Sequence, residues 1–276
     1  MRILYVSDLD GTLLDNNQKI PSHSINIINE LISRGLLFTY ATARSFATAK
    51  KVTDKLMLEL PVITNNGAAI VDSTTGANIV DMSFHTDFIN EIKTHIERFN
   101  MTPIIYAKAH NLETCSWLNH LKKPAIDEYL SQPHRQNDPR LNPVASIGDF
   151  PSTGIFYVIW MGTYEELLPI FLELKNNSRC QLNFEKQLYG QYYWLEIMPI
   201  HATKANAILT LKSRLHCDKV ICFGDGINDI QMFKAADYSY AVSNANNQLK
   251  SVATDVIMSN EQQGVALWLQ ENGNLK

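Results

Sequence analysis

Two aspartates separated by one residue follow the first apolar segment of the chain, in the stretch RILYVSDLDGT at residues 2–12. Residues two apart on a strand point the same way, so the carboxylates of Asp8 and Asp10 could converge on one spot. Their mutual repulsion is costly unless a cation or a shared proton relieves it. Because they offer only oxygen ligands, the pair suits a hard ion such as Mg²⁺. An acidic turn at a strand end would show the same two residues.

Three further segments place polar residues where a strand ends or a helix begins. Thr42 ends an apolar segment, and its hydroxyl could hold a phosphoryl oxygen beside the N–H groups of the next helix; the alternative is an N-cap threonine. Asp225, Asn228 and Asp229 lie in the turn GDGIND, where they could add metal and phosphate contacts or form a plain Asx turn. Lys204 begins a helix, where the dipole disfavours a cation; it could face an anionic cluster or be a solvated surface lysine.

A parallel sheet is the element that would position these residues, because apolar segments alternate with helical patterns at both ends of the chain. Ligands of such sheets bind at the carboxyl ends of the strands, where Asp8, Thr42 and Asp225 are all expected. The predicted elements are strands at 2–7, 36–42 and 61–64, a helix capped at Ser22 or Ser24 and ended by Gly35, a helix at 45–58, a hairpin around Ser73–Gly76, helices at 204–215, 228–236, 245–252 and 261–272, and the strands KVICFGD, YSYAV and TDVIM.

The pattern changes in the middle of the chain, where strands with hairpin spacing indicate a separate α+β module. Helices are predicted at 86–99 and 163–176, the second containing Pro169, and strands near 102–107, 113–118, 155–161, 180–186 and 191–197. The polar stretch 131–153 contains four prolines and is expected to be irregular. The predicted division is a core of residues 1–83 and 199–276 with an inserted domain at 84–198.

The composition is ordinary for a soluble globular protein, with 45% hydrophobic and 19% charged residues among 276. The net charge of −4 gives no basic field for nucleic acid or an anionic membrane. The four cysteines lack metal-finger spacing and indicate reduced thiols. No stretch approaches the roughly 18–20 apolar residues of a membrane span, and the first apolar run is too short for a signal peptide. We expect a cytoplasmic monomer or small homo-oligomer that binds neither nucleic acid nor membrane.

The order of these motifs resembles the haloacid dehalogenase superfamily of aspartyl-nucleophile phosphotransferases. The motifs are DLDGTLL at 8–14, ATARS at 41–45, Lys204 and GDGINDIQM at 224–232. The large insert before Lys204 is similar to the Cof-like branch with its type-two α/β cap, which NNGAAI at 65–70 and the tail at 242–266 also resemble. The resemblance implies an α/β fold: a Rossmann-like parallel sheet core with helices on both faces and an inserted α+β cap that selects the substrate.

The resemblance also implies a role for each motif residue. Asp8 would be the nucleophile and form an aspartyl-phosphate intermediate. Mg²⁺ would be held by Asp8, by Asp225 and by the backbone carbonyl of Asp10, with Asp229 as support. The Asp10 carboxylate would protonate the leaving group and later deprotonate water. Contacts to the phosphoryl oxygens would come from Thr42, Lys204, Asn228 and the backbone amides of Leu9 and Ala43.

The segment around the lysine departs from the family pattern, because it reads PIHATKANA where small or glycine residues are frequent. His201 in this segment could touch the substrate or serve only as a helix-entry residue. Within the inserted module, aromatic residues that could line a substrate surface are equally suited to core packing. They include Trp117, Tyr189, Tyr192 and Tyr193.

We expect a Mg²⁺-dependent phosphatase that acts on small phosphorylated metabolites, with sugar phosphates favoured by the resemblance. A phosphomutase would use the same residues and pass the phosphoryl group to another hydroxyl. A catalytically silent phospholigand-binding protein is the alternative from a different class. The joint presence of Asp8, Asp10, Thr42, Lys204 and Asp225 argues against silent binding, because binding alone requires no nucleophile.

Overall fold

The computed structural model describes residues 1–109, 112–132, 135, 137–187 and 191–273. Two compact units divide the chain, one formed by Met1–Asp81 with Ala202–Lys276 and the other by Met82–His201. The limits expected from the sequence lie within a few residues of these. Across the described residues, every helix is too short or too polar to cross a bilayer.

The helices and strands follow one another in three stretches of the chain. The first stretch forms β1 (Ile3–Ser7), α1 (Ser22–Ser33), β2 (Leu37–Tyr40), α2 (Phe46–Thr53), β3 (Val62–Thr64), β4 (Ala69–Val71) and β5 (Asn78–Asp81). The second forms α3 (Thr86–Phe99), β6 (Ile104–Ala109), β7 (Leu112–Leu118), α4 (Pro124–Leu130), β8 (Leu141–Val144), β9 (Ile155–Gly162), α5 (Tyr164–Leu174), β10 (Cys180–Lys186) and β11 (Tyr193–Pro199). The third forms α6 (Lys204–Arg214), β12 (Lys219–Gly224), α7 (Ile230–Ala235), β13 (Tyr238–Val242), α8 (Asn247–Lys250), β14 (Asp255–Ile257) and α9 (Gly264–Asn272).

The first unit is built on a parallel sheet with the strand order β14-β13-β12-β1-β2. Every residue of the central strand β1 is buried, as the apolar segment ILYVS predicts for a strand covered on both faces. The connections β1–α1–β2 and β12–α7–β13 leave the central pair of strands in opposite directions. Right-handed crossovers therefore place α1 and α7 on opposite faces of the sheet, and α9 packs beside α1 while α6 packs beside α7.

The central pair of strands, β1 and β12, is also the point where the strand order reverses. Loops that leave neighbouring strands in opposite directions open a crevice at the carboxyl edge of the sheet, which is where ligands of such folds bind. Ile3–Ser7 pairs in register with Lys219–Phe223. The sequence motifs that directly follow these two strands are thereby brought side by side.

The segment PVIT meets the core sheet only at its edge. A single parallel bridge between Ala41 and Ile63 links β3 to the residue that follows β2, and β3 pairs antiparallel with β4 in a separate three-stranded sheet. The turn Asn65–Gly67, in which all three residues have positive φ, reverses the chain between β3 and β4. The expected parallel direction of β3 is therefore present as one bridge and not as a full strand pairing. The hairpin predicted around Ser73–Gly76 is present as the β4–β5 pair.

Helix α1 shows how the apolar pattern and a glycine set the limits of an element. Its buried residues Ile27, Ile28 and Leu31 form the core-facing stripe, and the chain leaves the helix through Gly35 at φ 100°. The prediction that Ser22 or Ser24 caps this helix was wrong. Pro21 occupies the N-cap position without a side-chain bond, and both serines lie inside the helix.

The inserted unit has a six-stranded sheet in the order β10-β11-β9-β6-β7-β8, antiparallel except for the β7–β8 pair. One face packs on α3 and α5 through buried residues that include Phe88, Ile92, Trp160 and Leu167. The stretch expected to be irregular contains β8, where Pro143 is tolerated because it lies on an edge strand. Helix α4, with Pro124 at its first position, was missing from the predicted elements.

Several sequence predictions for the inserted unit concern aromatic residues that could line a substrate surface or pack in the core. Trp117 is buried, and Tyr193 stacks edge-on against Tyr164, so both contribute to packing within the unit. Tyr189 lies outside the described residues. The predicted helix at 163–176 is present as α5 and continues through Pro169, with a capping box between Thr163 and Glu166 at its start.

Candidate active site

Two aspartates directly follow the central strands of the first unit. Asp8 comes after β1, and its N–H donates to the carbonyl of Phe223 at 2.9 Å, which continues the ladder between the strands. Asp225 comes after β12, so both residues lie at the carboxyl edge of the sheet. The side chain of Asp8 is buried and that of Asp225 is partly exposed. The sheet alone therefore brings together the first and last motifs of the sequence.

Lys204 joins two of the predicted carboxylates. Its Nζ donates to Asp8 Oδ1 and to Asp229 Oδ1, each at 2.7 Å. The three residues are almost fully buried, with exposed fractions of 3% for Lys204, 5% for Asp8 and 0% for Asp229. Charges at such depth are tolerated only when they are paired. The three groups therefore form one electrostatic unit, with one positive and two negative charges.

The start of helix α6 fixes the position of this lysine. Thr203 caps the helix, its Oγ1 accepting from the N–H of Asn206 at 3.0 Å, and Ala207 and Ile208 bury the next turn against the core. Gly67 lies against this start, and a methyl group on it would overlap the carbonyl of Thr203. A lysine at this helix position opposes the dipole, and its two carboxylate partners account for the placement.

The burial of the site changes the proton affinities of its groups. Burial raises the pKa of the Asp8 carboxyl well above its usual value, while Lys204 acts in the opposite direction. Burial by itself would lower the pKa of the Lys204 ammonium, but Asp8 and Asp229 outweigh it and raise that pKa. Burial also raises the pKa of Asp225, opposed by its hydrogen bond from Thr12. The carboxyl groups of Asp8 and Asp225 thus lie in buried surroundings that disfavour their charged forms.

Asp229 also shapes the turn that carries Asp225. Its Oδ2 accepts the N–H groups of Asp225 and Gly226, each at 3.1 Å. With Lys204 on Oδ1, both oxygens of Asp229 are engaged. The residue therefore positions its neighbours and is less able to bind a ligand directly.

Gly11 and Thr12, in the loop that follows β1, contact the side chain of Asp225. Thr12 Oγ1 donates to Asp225 Oδ1 at 2.8 Å. Gly11 has φ 73°, and a methyl group at this position would overlap the Asp225 carboxylate. Thr12 had no role in the sequence reasoning, although its place in the DxDGT segment, two residues after Asp10, marks it as part of the same loop.

The carboxylates fit a divalent cation. Asp8, Asp225 and Asp229 each offer an oxygen atom, and these atoms lie within 4.8 Å of one another. A set made only of oxygen ligands suits hard ions such as Mg²⁺ or Ca²⁺. Three carboxylates against one ammonium leave negative charge that a cation would neutralise. Within the described chain, the Asp10 carboxylate is not a member of this group.

The side chain of Asp10 is held instead by an arginine that the sequence reasoning did not identify. Arg44 Nε donates to Asp10 Oδ2 at 2.7 Å, and one Nη donates to Oδ1 at 2.5 Å. Hydrogen bonding to Asp10 raises the pKa of the Arg44 guanidinium. The available signal was its position in ATARS, two residues after Thr42 and on the same loop.

Thr42 lies after β2, buried at the same edge of the sheet. Its N–H donates to the carbonyl of Ile63 at 3.0 Å, and its Oγ1 accepts from the N–H of Arg44 at 3.1 Å. The hydroxyl proton therefore remains available to a ligand. The N-cap alternative does not apply, because Ser45 caps helix α2. Ala43 between them is exposed.

The remaining predicted residues differ in their exposure and in which of their atoms could contact a ligand. Asn228 is exposed, and its Nδ2 lies 3.5 Å from Asn66 Oδ1. The side chain of Leu9 is buried in the core, so only its backbone can contact a ligand. His201 is exposed and belongs to the compact unit Met82–His201. The structure thus brings Asp8, Lys204, Asp225 and Asp229 into contact and gives Asp10 a different partner.

Comparisons with known proteins show which family the chain resembles. Residues 5–269 match a family described as haloacid dehalogenase-like hydrolase. An HMP-PP phosphatase from Serratia proteamaculans is 25% identical over 275 residues, covering 95% of this chain and 92% of that protein. A putative phosphatase from Mycoplasma pneumoniae is 25% identical over 280 residues, covering 96% of this chain and 95% of that protein.

The fold is also similar to solved structures along nearly its whole length. A Thermotoga maritima protein superposes with a TM-score of 0.78 at 24% identity, covering 99% of this chain and 98% of that one. A sugar phosphatase of haloacid dehalogenase subclass IIB superposes with a TM-score of 0.71 at 18% identity, covering 99% of both chains. At these identities the likeness shows the fold alone.

Proposed function

Because the chain belongs to the haloacid dehalogenase-like hydrolases, we propose that it is a Mg²⁺-dependent phosphatase of small phosphorylated metabolites, with sugar phosphates as the favoured class. The proposal rests chiefly on one observation: Lys204 joins the buried carboxylates of Asp8 and Asp229 at the carboxyl edge of the sheet. A carboxylate that is buried, paired with a cation and adjacent to further acids is suited to attack phosphorus.

Asp8 is the nucleophile in this proposal. Among the described residues, its carboxylate is hydrogen-bonded through Oδ1, so Oδ2 is the oxygen that we assign to the attack. The Asp8–phosphorus bond forms while the bond from phosphorus to the leaving oxygen breaks. Water then attacks the aspartyl phosphate and releases inorganic phosphate. Lys204 fixes the rotamer of Asp8 throughout both steps.

Asp10 moves the protons. Its carboxyl group gives a proton to the leaving oxygen in the first step and takes one from the attacking water in the second. The partial exposure of its side chain, 49%, supports this role because the group is accessible to both substrate and water.

The phosphoryl oxygens would be held by residues from three loops and by the first residue of helix α6. Thr42 offers a hydroxyl whose oxygen already accepts from Arg44, which leaves its proton for the ligand. Asn228 offers an exposed side-chain amide, and Lys204 offers the one cation of the buried cluster. The backbone N–H groups of Leu9 and Ala43 complete the proposed set. Such preset donors stabilise the charge that spreads over the transferring group.

The proposed metal site uses the carboxylates that lie closest together. Asp8 and Asp225, with the backbone carbonyl of Asp10, would hold Mg²⁺, and Asp229 would support them through its bonds to the Asp225 turn. When bound, the ion neutralises the repulsion between the nucleophile and the phosphate. The inserted unit, Met82–His201, is proposed to select the substrate.

The test is the release of inorganic phosphate from p-nitrophenyl phosphate and from a panel of phosphorylated metabolites that includes sugar phosphates and HMP-PP. We expect turnover that disappears with EDTA and returns with Mg²⁺. Asp8→Asn should lower kcat by more than about 10⁴-fold, because an amide cannot attack phosphorus. Asp54→Asn, an exposed aspartate at the end of α2, is the matched control.

Each alternative makes a different prediction in the same assay. A phosphomutase would give a rearranged phosphate ester in place of inorganic phosphate. A silent binding protein would bind the phosphorylated ligand without turnover. Full activity of Asp8→Asn, or activity that is indifferent to EDTA, would contradict the proposed mechanism.

A further inference from the structure

Arg44 binds the Asp10 carboxylate through two parallel hydrogen bonds. Nε donates to Oδ2 at 2.7 Å and one Nη donates to Oδ1 at 2.5 Å. This fork fixes the plane of the carboxylate as well as its position, which a single-point contact cannot do. The pair lies partly exposed, with 19% of the Arg44 side chain and 49% of the Asp10 side chain accessible to solvent.

The arginine is itself held from several directions. Its N–H donates to Thr42 Oγ1 at 3.1 Å, and its carbonyl accepts from the N–H of Asn65 at 2.9 Å. The Nη that contacts Asp10 also donates to Gln18 Oε1 at 3.1 Å. Gln18 belongs to a tight turn in which its N–H donates to the carbonyl of Asp15 at 2.9 Å. The guanidinium is therefore fixed between two loops.

Asp10 needs such a partner because its own loop does little to orient it. The residue has extended backbone angles and precedes Gly11, which has positive φ. A short, half-exposed carboxylate in this setting would otherwise rotate among several staggered conformations. Proton transfer requires one of them, with an oxygen within hydrogen-bond reach of the reacting atom.

Resting on the function proposed above, we propose that Arg44 is a positioning residue that holds the Asp10 carboxyl in the orientation from which it exchanges protons with the leaving oxygen and with water. Each carboxyl oxygen has two acceptor directions, and the fork occupies one of them on each oxygen. The other directions stay free for the reacting groups. Arg44 gains and loses no proton in either step.

Stability is a weaker explanation for the fork. An ion pair whose carboxylate is half exposed is screened by solvent, which limits its contribution to the free energy of unfolding. The Arg44–Asp10 pair also differs from the surface pair Arg34–Glu30 on α1, which has a single contact of 3.5 Å between more exposed side chains. The two-point contact from Arg44 is the geometry expected if its role is to orient the Asp10 carboxyl group.

The test compares leaving groups that differ in their need for a proton. The p-nitrophenolate group departs without protonation, whereas an alkoxide requires it. Arg44→Gln, Arg44→Lys and the control Arg34→Gln are assayed with p-nitrophenyl phosphate and with the alkyl phosphate that the wild type hydrolyses best. The value compared is kcat/KM, because it reports on the steps up to formation of the aspartyl phosphate.

In Arg44→Gln the ratio of kcat/KM for the aryl ester to that for the alkyl ester should rise by about 10-fold or more. Arg44→Lys, which keeps the charge but loses the fork, should give a smaller rise, and Arg34→Gln should leave the ratio unchanged. Equal losses on both esters would overturn the proposal, since they indicate a structural or phosphate-binding role. Thermal unfolding of each variant confirms that it is folded.

The outcome separates this inference from the proposed function. If the wild type releases no phosphate from either ester, the proposed function fails. If the wild type is active and the ratio in Arg44→Gln stays at its wild-type value, only the role of Arg44 fails.

Discussion

Lys204 Nζ lies 2.7 Å from Asp8 Oδ1, although 196 positions separate the two residues in the chain. The contact joins the end of the first strand to the start of the helix that follows the inserted unit. The contact also gives the buried Asp8 carboxylate a fixed cationic partner. Without it, the carboxylate would be buried with its charge unpaired. This contact is the feature on which the site is built.

Removing the ammonium should therefore damage stability as well as activity. In Lys204→Met, Asp8 and Asp229 are left buried without a cation, and we expect the free energy of unfolding to fall by about 3–5 kcal/mol. Lys212→Met, later in the same helix, removes a more exposed ammonium that pairs with Asp237 at 3.0 Å and should cost less than about 1 kcal/mol. Urea denaturation measures both values. Equal costs would show that the buried cluster contributes no special stability.

The proposed metal site can be tested by measuring Mg²⁺ binding, without an assay of enzyme activity. Asp225→Asn removes one negative charge from the carboxylate group while keeping a side chain of the same shape, so Mg²⁺ should bind at least about 10-fold more weakly. Titration of Mg²⁺ followed by calorimetry or by the rise in Tm measures this change. Asp237→Asn, whose carboxylate pairs with Lys212 on the surface, is the control. Wild-type affinity in Asp225→Asn would place the ion elsewhere.

Gly67 should be less replaceable than another glycine with the same backbone conformation. Gly67 has φ 97° and Gly35 has φ 100°, so alanine at either position costs about 1 kcal/mol of backbone strain. A methyl group on Gly35 has nothing within 4 Å, whereas on Gly67 it overlaps the carbonyl of Thr203. Gly67→Ala should therefore be the more destabilising change.

The same pair of variants should also differ in kcat. The overlap at Gly67 falls one residue before Lys204, so Gly67→Ala should lower kcat, and Gly35→Ala should not. Denaturation curves and steady-state rates measured on both variants provide the comparison. A similar loss of stability and rate in the two would contradict a role of Gly67 in positioning α6.

Asp72 makes the stability of the β4–β5 hairpin depend on pH. Its carboxylate accepts from the hydroxyl groups and the N–H groups of Thr74 and Thr75. These bonds, led by the one from the Thr74 hydroxyl, hold its pKa well below the usual 3.8. A group whose pKa is lowered by folding stabilises the fold above its unfolded-state pKa and loses that effect as the pH falls.

The Tm difference between the wild type and Asp72→Asn should therefore be largest near neutral pH and shrink as the pH drops below 3.8. Thermal unfolding at a series of pH values measures this difference. A difference that stays constant down to about pH 2 would mean that the carboxylate charge is not what stabilises the turn.

The sequence was sufficient for the fold class, the superfamily and the phosphatase class, which the family match and the relatives confirm. The reason is physical: apolar strands that end in polar residues must gather those residues at one edge of a parallel sheet. Asp8 and Asp225 follow this rule directly. Lys204 needed one more step, because a lysine at a helix start can be a solvated surface residue, and its place in the site depended on inferring a facing anion.

The sequence could not reveal which partner each side chain selects. Spacing alone indicated that the carboxylates of Asp8 and Asp10 could converge, but the Asp10 side chain binds Arg44, a contact that depends on how two loops meet. The extent of the β3 pairing was also beyond the sequence. A strand of three residues carries too little pattern to show that it meets the core through one parallel bridge and pairs mainly with β4.

The pairing of β1 with β12 gives the chain a particular order of assembly. Ile3–Ser7 finds its neighbour β12 only when Lys219–Phe223 has been made, so a growing chain carries Asp8 long before the lysine that contacts it. A nascent chain that stops short of GDGIND leaves one edge of β1 without its parallel partner. Contacts at such long range are slow to form, so the central sheet of the first unit is completed only after the inserted unit has been synthesised.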